Sequence, residues 1–202
     1  RFMTLETGYQ LQQGRYVIQA VLGQGGMGTV YLAADRNLPG RLVAIKENAD
    51  ASRPAQEQFQ HEAVMLARLN HPNLPRVTDH FIEPSGLQYL VMDYVEGDDL
   101  REVLGQQHGP LPEALVLAWI EQVMSALEHM HNWIDPATRR PSPIIHRDIK
   151  PGNIKRTPNG RIVLVDFGLA KYEANDEATV AGARAFTSGY SPIEQYTGGT
   201  NV

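Results

Sequence analysis

Short apolar runs separated by turn residues dominate the first half of the chain. The segments RYVIQAVLG (15–23), TVYLAAD (29–35) and RLVAIKE (41–47) are rich in Val, Ile, Leu and Tyr, and Gly, Pro and Asn separate them. Two similar runs, RVTDHFI (76–82) and LQYLVMDYV (87–95), follow later. This composition is typical of strands linked by hairpins. The pattern therefore predicts a small, strand-rich unit.

Two other segments carry apolar residues at every third or fourth position, which is the spacing of an amphipathic helix. The first predicted helix covers residues 55–69 and ends at the turn NHPN. The second begins at Pro112 and Glu113, because proline favours the first helical turn. Its predicted apolar stripe consists of Leu115, Trp119, Ile120, Val123, Leu127 and Met130.

Composition excludes several kinds of function. The chain has 202 residues, a formal net charge of −5 and no long run of Lys or Arg. This charge argues against nucleic acid or an anionic membrane as the main partner. The chain contains no cysteine, which excludes disulfides, thiolate metal sites and cysteine nucleophiles. No apolar run approaches the roughly 20 residues that span a bilayer.

A glycine-rich turn, GQGGMGTV (23–30), lies between two predicted strands. Glycine allows backbone amides to approach phosphate oxygens without obstruction by a Cβ atom. A dinucleotide-binding loop would continue into a helix, whereas here the strand TVYLAAD follows. Taken alone, the pattern fits a phosphate-binding loop or an ordinary glycine-rich hairpin.

Lys46 ends the predicted strand VAIK, and Glu62 follows in the first predicted helix. Glu62 lies next to Ala63 and four positions before Leu66, on the side expected to face inward. A carboxylate on that side requires a partner. A Lys46–Glu62 pair that holds the lysine over the phosphates of a nucleotide accounts for both residues, although Lys46 alone would fit a solvated strand edge.

The most specific motif is HRDIKPGN (146–153), which DFG (166–168) follows. With the glycine-rich turn, VAIK and the helix glutamate, the order resembles that of protein kinases, and it is most similar to the bacterial Hanks-type serine/threonine kinases. The resemblance extends from Arg15 to about Tyr196.

The resemblance implies an α+β, two-lobed fold with a small antiparallel β-rich N-lobe and a mainly helical C-lobe. Residues 1–14 would be an N-terminal tail, residues 15–95 the N-lobe and residues 96–202 part of the C-lobe. The segment SPIE (191–194) resembles the A-P-E element, after which members of the family have further helices. We therefore expect the C-lobe to be incomplete and truncated after this element.

The same resemblance implies catalytic roles for four residues. Asp148 would accept or orient the proton of the attacking hydroxyl, and Lys150 would neutralise the phosphate in transfer. Asn153 and Asp166 would provide oxygen ligands for Mg²⁺ or Mn²⁺. Phosphoryl transfer suits such a site, since the protein mainly positions the reactants and neutralises charge.

The implied second substrate is ATP. Lys46 would hold its α- and β-phosphates, and Glu62 would brace the lysine. Met92 falls at the gatekeeper position, and Asp99 falls where an acidic residue often meets the ribose. Lys155 departs from the family, in which Leu or Met covers the adenine at that position. The residues implied to bind the nucleotide are Gly23, Gly25, Gly28, Val30, Ala44, Lys46, Met92, Asp93, Val95 and Asp99.

Three residues are implied in regulation. Arg147 resembles the arginine that pairs with a phosphate on the activation loop of related kinases. Thr179 is the predicted phosphosite, because the sequence around it is acidic and contains glycine. Thr187 would contact Asp148 and Lys150, a pattern that favours Ser and Thr as acceptors.

The leading interpretation is an ATP-dependent serine/threonine protein kinase that also phosphorylates its own activation segment. Its implied partners are protein substrates and a second copy of itself, and its expected location is cytoplasmic, with a membrane tether only through segments outside this chain. Two alternatives are a pseudokinase or docking module without catalysis, and a small-molecule kinase of related fold. The intact catalytic motifs disfavour the former, and the segment from DFG to SPIE disfavours the latter.

Overall fold

The structure, a computed structural model, describes residues 4–25, 28–48, 50, 52–136, 138–166, 171–172 and 189–190, without the side chains of residues 61, 62, 171 and 172. The chain forms two compact units, one from Arg1–Asn70 and Pro75–Val95 and the other from His71–Leu74 and Glu96–Val202. The first unit contains β1 (Gln10–Leu11), β2 (Tyr16–Gly25), β3 (Gly28–Asp35), β4 (Leu42–Glu47), α1 (Arg53–Leu66), β5 (Val77–Ile82) and β6 (Gln88–Asp93).

The strands of the first unit form one antiparallel sheet in the order β1-β2-β3-β4-β6-β5. All five predicted strands are present, with ends within two residues of the prediction. Side chains alternate between the faces of a strand, so each strand contributes every second residue to one apolar core. That core consists of Leu11, Tyr16, Ile18, Tyr31, Ala33, Val43, Ile45, Phe81, Tyr89 and Val91.

The residues before position 15 pack onto this sheet. Leu11 is almost fully buried in the core, and Leu5 packs against it. The backbone N–H of Gly8 donates to the Ile18 carbonyl at 2.8 Å, and the N–H of Ile18 donates to the Tyr9 carbonyl at 2.9 Å. The segment predicted to be a tail thus supplies a strand and part of the core.

The helix α1 begins and ends earlier than the predicted 55–69. Ser52 precedes it and Pro54 lies in its first turn, where backbone N–H groups have no partner within the helix, so the missing N–H of proline costs nothing. At the other end the N–H of Leu69 donates to the Leu66 carbonyl, which marks a tight turn after the helix. Leu69 is still buried, which explains why the apolar spacing continued beyond the helix.

The second unit is mainly helical where the structure describes it. Its helices are α2 (Leu100–Gly105) and α3 (Glu113–His131), and a 3₁₀ turn covers Pro151–Asn153. A three-stranded sheet, β10-β9-β7, and a two-stranded sheet, β11-β8, accompany them. Their strands are β7 (Asp98–Asp99), β8 (Ile144–Ile145), β9 (Ile154–Arg156), β10 (Ile162–Leu164) and β11 (Lys171–Tyr172).

The buried stripe of α3 differs in part from the prediction. Trp119, Val123 and Met130 are buried as expected, but Leu115 is 39% exposed and Ile120 is 50% exposed. Ile120 lies about 100° around the helix from Trp119, because an α-helix has 3.6 residues per turn. The small residue Ala126 continues the buried stripe instead. Within the described part of the chain, none of the helices combines the length and apolar character needed to cross a bilayer.

Candidate active site

The glycine-rich segment joins β2 and β3. Gly25 pairs with Gly28 at the end of the hairpin, and Gly28 has a φ of 132°, which other residues rarely adopt. A Cβ atom added to Gly23 or Gly25 would meet no atom within 4 Å. Packing within the protein therefore does not require glycine at these two positions. The open backbone leaves room for an external group, as a phosphate-binding loop requires.

Four predicted nucleotide-binding residues share one face of the first unit's sheet. Val30 pairs with Lys46 between β3 and β4, and Ala44 pairs with Met92 between β4 and β6. Directly paired residues lie on the same face, and residues two apart on one strand do so too. Lys46 is 6% exposed, so its long side chain is largely withdrawn from water.

The predicted partner of Lys46 belongs to α1, which packs against β5 and β6. The backbone of Glu62 lies in this helix, but its side chain is outside the described residues. Lys46 itself does interact with another group of the protein. The proposed Lys46–Glu62 pair thus stays a prediction.

The opposite face of the same strand carries a buried acid that the sequence analysis missed. Glu47 is 3% exposed, and the hydroxyl of Tyr89 donates to its Oε2 at 3.0 Å. Burial raises the pKa of Glu47 above its ordinary value, while hydrogen bonds from the hydroxyls of Tyr89 and Tyr31 act in the opposite direction. In the segment VAIKE, Lys46 and Glu47 occupy successive positions of a strand and so face opposite sides of the sheet. This alternation could have indicated that Glu47 faces the core.

The end of β6 leads into Asp93 and Val95, two of the residues predicted to bind the nucleotide. The N–H of Asp93 donates to the Arg76 carbonyl at 2.9 Å, and the Asp93 carboxylate forms an ion pair with Arg41 at 3.2 Å. The backbone groups of Val95 form no hydrogen bond with any described residue. Val95 therefore keeps both a donor and an acceptor for a ligand.

Asp99 has a structural role in addition to its predicted one. Its Oδ1 accepts a hydrogen bond from the N–H of Glu102 at 2.9 Å, and Oε2 of Glu102 accepts one from the N–H of Asp99 at 2.9 Å. This reciprocal pair is a capping box at the start of α2. Arg101 Nη2 lies 3.4 Å from the second carboxylate oxygen of Asp99. In the sequence, the pattern D-x-x-E in DLRE (99–102) indicates such a cap.

Three predicted catalytic residues meet in the second unit. Lys150 Nζ lies 2.7 Å from Asp148 Oδ2, and Asn153 Nδ2 donates to the same oxygen at 2.8 Å. The Asn153 amide also donates to the Asp148 backbone carbonyl at 2.8 Å. A positive charge and an amide dipole thus fix one carboxylate oxygen, while the side chain of Asp148 stays 11% exposed. This arrangement presents an oriented carboxylate to a substrate hydroxyl.

The local backbone explains why these residues meet. The N–H of Asn153 donates to the Lys150 carbonyl in the 3₁₀ turn, which brings the asparagine back over the loop. The N–H of Asp148 donates to Nδ1 of the buried His146 at 3.3 Å. Arg147, between them, has a φ of 66°, a left-handed conformation that is uncommon outside glycine and that clusters at functional sites.

The chemistry of Asn153 and Asp166 suits a divalent cation. The Asn153 amide uses its nitrogen for Asp148, which leaves its oxygen as an acceptor. The N–H of Val165 donates to the Asn153 carbonyl at 2.8 Å, so the chain passes Asn153 one residue before the exposed Asp166. Two protein oxygens, completed by phosphate and water, are a usual set for Mg²⁺. Among the described residues, no three His, Cys, Asp or Glu side chains form a metal-binding group.

A model of the protein kinase domain matches residues 16–196 of the chain. The chain belongs to the protein kinase domain family. It is similar to a probable serine/threonine-protein kinase of Streptomyces coelicolor, with 38% identity over 193 residues, and to the serine/threonine-protein kinase PknA of Mycobacterium tuberculosis, with 36% identity over 192 residues. Each match covers 92% of this chain but 27% and 42% of these relatives, so the chain spans less than half of their length.

The fold of this kinase domain is similar to that of a solved relative. The crystal structure of the PknI kinase domain of Mycobacterium tuberculosis matches with a TM-score of 0.65 and 32% identity, over 83% of this chain and 63% of the solved one. The predicted kinase-like α+β fold and the resemblance to bacterial serine/threonine kinases are thereby confirmed. Protein kinases use ATP and divalent cations, which agrees with the predicted cofactors at that level.

Some predicted residues of the kinase domain lie outside the described part of the chain. They are Phe167 and Gly168 of DFG, Thr179, Thr187 and the segment SPIE (191–194). The predictions made for them are unchanged by the structure.

Proposed function

We propose that this kinase domain is the catalytic part of a serine/threonine protein kinase, which transfers the γ-phosphate of ATP to Ser or Thr hydroxyls of proteins. The observation that carries the proposal is the Asp148 carboxylate held by Lys150 and Asn153 at 2.7 and 2.8 Å. Relatives that are named serine/threonine-protein kinases support the same class of acceptor.

The proposed roles follow from the geometry of each group. The carboxylate of Asp148 orients the acceptor hydroxyl and takes its proton as the new P–O bond forms and the bond between the γ-phosphorus and the β-γ bridging oxygen breaks. The ammonium of Lys150 orients this carboxylate and offsets negative charge on the phosphate in transfer. ADP leaves with the bridging oxygen, so atoms and charge balance without another reactant.

Nucleotide binding is assigned to the residues predicted for it. Lys46 neutralises the α- and β-phosphates, with Glu62 as its brace, and the glycine-rich hairpin supplies backbone amides to the phosphates. A divalent cation, Mg²⁺ in preference to Mn²⁺, neutralises phosphate charge when bound, and Asn153 and Asp166 are the residues that hold it. The free backbone groups of Val95 receive the adenine, and Asp99 reaches the ribose.

The remaining assignments concern organisation and control. The N-lobe covers the predicted residues 15–95 together with the preceding strand β1, and the partial C-lobe covers residues 96–202. A second copy of the chain phosphorylates Thr179, and the phosphate pairs with Arg147. Thr187 contacts the catalytic loop. The protein acts on other proteins in the cytoplasm. No observation favours the pseudokinase alternative, because the catalytic loop retains its charged groups in an oriented arrangement.

The proposal is tested with the purified chain, radiolabelled ATP, Mg²⁺ and a generic basic protein as substrate. We expect incorporation of phosphate on Ser and Thr, and a loss of about 10²- to 10⁴-fold in Asp148→Asn, which is the usual range for removal of a general base. The matched control is Asp50→Asn, since the Asp50 side chain is exposed and accepts a hydrogen bond from the backbone N–H of Ser52, which an asparagine oxygen also accepts. Equal incorporation by wild type and Asp148→Asn would refute catalysis by this loop. Phosphopeptide mapping of the incubated chain then tests Thr179.

A further inference from the structure

A cavity of about 390 Å³ lies in the second unit, beside the short sheet β10-β9-β7. One wall is the first part of α3, and the other is the turn that joins β9 to β10. Neither wall belongs to the catalytic loop. The cavity is lined by Gly97, Asp98, Leu115, Trp119, Arg156 and the turn residues Thr157, Pro158 and Gly160. We refer to it as the β7–α3 groove.

The β7–α3 groove lies on the opposite face of the sheet from the residues proposed to meet the nucleotide. In the β7–β9 pair, Asp99 is opposite Lys155, and Asp98 is opposite Arg156. Successive residues of a strand point to opposite faces. Because Asp98 and Arg156 line the groove, Asp99 and Lys155 face away from it. A ligand in the groove would therefore leave the proposed nucleotide site open.

Arg156 is the most distinctive residue of the groove. Its guanidinium lies over the ring of Trp119, 5.9 Å from the ring centroid. A cation in this position is attracted to the face of the ring, and a guanidinium can pair with a planar acceptor through two parallel hydrogen bonds. Among the described residues, Arg156 forms no ion pair with a carboxylate, although Asp98 stands directly across the ladder. As far as the described residues show, the groove thus holds a cation that contacts an aromatic ring and has no anionic partner.

Apolar side chains lie on both walls of the groove near Arg156. Leu115 is 39% exposed on the helix wall, and Pro158 forms part of the turn opposite. The turn is closed by a hydrogen bond from the N–H of Gly160 to the Thr157 carbonyl at 2.8 Å. Gly97 lies so close that an added Cβ would be 2.1 Å from the Arg156 carbonyl oxygen, so the edge of the groove cannot take a larger residue.

We propose that the β7–α3 groove binds a short peptide segment of a partner protein, in which an acidic side chain lies next to an apolar one. The carboxylate pairs with the Arg156 guanidinium in a bidentate geometry, and the apolar side chain covers Leu115 and Trp119. The volume is near the low end of the roughly 300–1,000 Å³ typical of ligand sites, so two or three side chains fill it. This docking site stands apart from the catalytic loop and does not depend on the proposed phosphotransfer.

Asp98 limits the number of acidic side chains that a bound peptide can carry. It is exposed at the edge of the groove and would repel a run of several acidic residues, while one carboxylate placed at Arg156 avoids it. Removal of Asp98 should therefore strengthen binding, and removal of the Arg156 charge should weaken it. Opposite effects of two neighbouring substitutions are not expected from a loss of folding.

The test uses the whole chain and a bead library of hexapeptides, blocked at both ends and free of Ser, Thr and Tyr, so that no peptide is a phosphate acceptor. We expect the labelled chain to select peptides with Asp or Glu beside Leu, Ile, Val or Phe. The dissociation constant of a selected peptide is then measured by fluorescence anisotropy. Arg156→Gln should raise it at least ~10-fold, about the contribution of one hydrogen-bonded charge. Asp98→Asn should lower it.

Arg161→Gln is the matched control, because Arg161 is exposed beside the same turn and does not line the groove. It should leave the dissociation constant unchanged, and Arg156→Lys, which keeps the charge without the planar fork, should give an intermediate value. Selection without acidic residues, or equal binding by wild type and Arg156→Gln, would overturn the proposal. Selection of basic or purely apolar peptides, or self-association that occupies the groove, would overturn it as well.

Discussion

Replacement of Asn153 by aspartate separates two roles that this residue could have in the catalytic loop. Asn153 Nδ2 donates to the backbone carbonyl of Asp148 and to its carboxylate oxygen, both at 2.8 Å. Aspartate has the same size and keeps an oxygen ligand for a cation, but it replaces both donors with an acceptor. If the main role of Asn153 is to orient Asp148, the variant fails; if the main role is metal binding, it keeps its activity.

The magnitude follows from the distances. Two unit negative charges 2.8 Å apart repel by about 6 kcal/mol at an effective dielectric constant of ~20. The loop avoids part of this repulsion when Asp148 rotates away or when one carboxyl group takes up a proton. Loss of one hydrogen bond to a charged oxygen and one to a carbonyl adds about 2–4 kcal/mol. A 100-fold decrease corresponds to about 2.7 kcal/mol of lost transition-state stabilisation, which is less than the sum of these two effects. We therefore expect kcat/KM to fall at least ~100-fold near neutral pH.

The assay measures kcat/KM for phosphate transfer to a protein substrate at pH 7.5 over a range of Mg²⁺ concentrations. Asn159→Asp serves as the control, because the Asn159 side chain accepts hydrogen bonds through Oδ1 and aspartate preserves that role. Thermal unfolding of both variants identifies any loss that arises from folding. The reasoning is refuted if Asn153→Asp retains more than a tenth of wild-type kcat/KM, or if excess Mg²⁺ restores its rate.

Three other substitutions test packing within the units by urea unfolding. Gly97→Ala should lose at least ~2 kcal/mol, because Gly97 has a φ of 113° and a Cβ would meet a backbone oxygen at 2.1 Å, whereas Gly109→Ala, with open space around it, should change little. The wild type should gain stability relative to Glu47→Gln as the pH falls from 7.5 towards 5. Burial raises the pKa of Glu47 in the folded chain, so the folded state takes up the proton before the unfolded state does. A stability difference that stays constant with pH would contradict this. His71, stacked on His129 with ring centroids 5.2 Å apart, should have the opposite effect, because burial, and secondarily His129, lower its pKa in the folded chain. The wild type should therefore lose stability as the pH falls through 6.5 and below, and His71→Gln should reduce this dependence of stability on pH.

The strands were the most predictable part of the fold. Alternation of apolar and polar residues fixes which side chains face a common core, and the register of Val30 with Lys46 and of Ala44 with Met92 follows from antiparallel pairing. The helix α3 was less predictable, because Leu115 and Ile120 match the apolar spacing but remain exposed. Periodicity indicates which side of a helix is apolar and does not indicate which other elements cover it.

The candidate site was predictable where its residues are close in sequence. Asp148, Lys150 and Asn153 lie within six positions, and one 3₁₀ turn is sufficient to bring their side chains together. Residues that serve two purposes were harder to interpret. Asp99 matches a ribose-binding position in the family, yet it also caps α2, and the sequence gives the same aspartate for either role.

This difference between local and remote contacts has a consequence for mutagenesis. The contacts of Asp148 with Lys150 and Asn153 close a short loop, so their loss should change the orientation of a carboxylate while the elements on either side keep their packing. Lys46 instead lies in a central strand, between β3 and β6, and is nearly buried. Removal of a buried ammonium leaves its partner uncompensated, and truncation of the side chain adds the cost of a cavity. Lys46→Met is therefore the substitution that tests phosphate binding with the least effect on the sheet, and Lys46→Ala would confound the two.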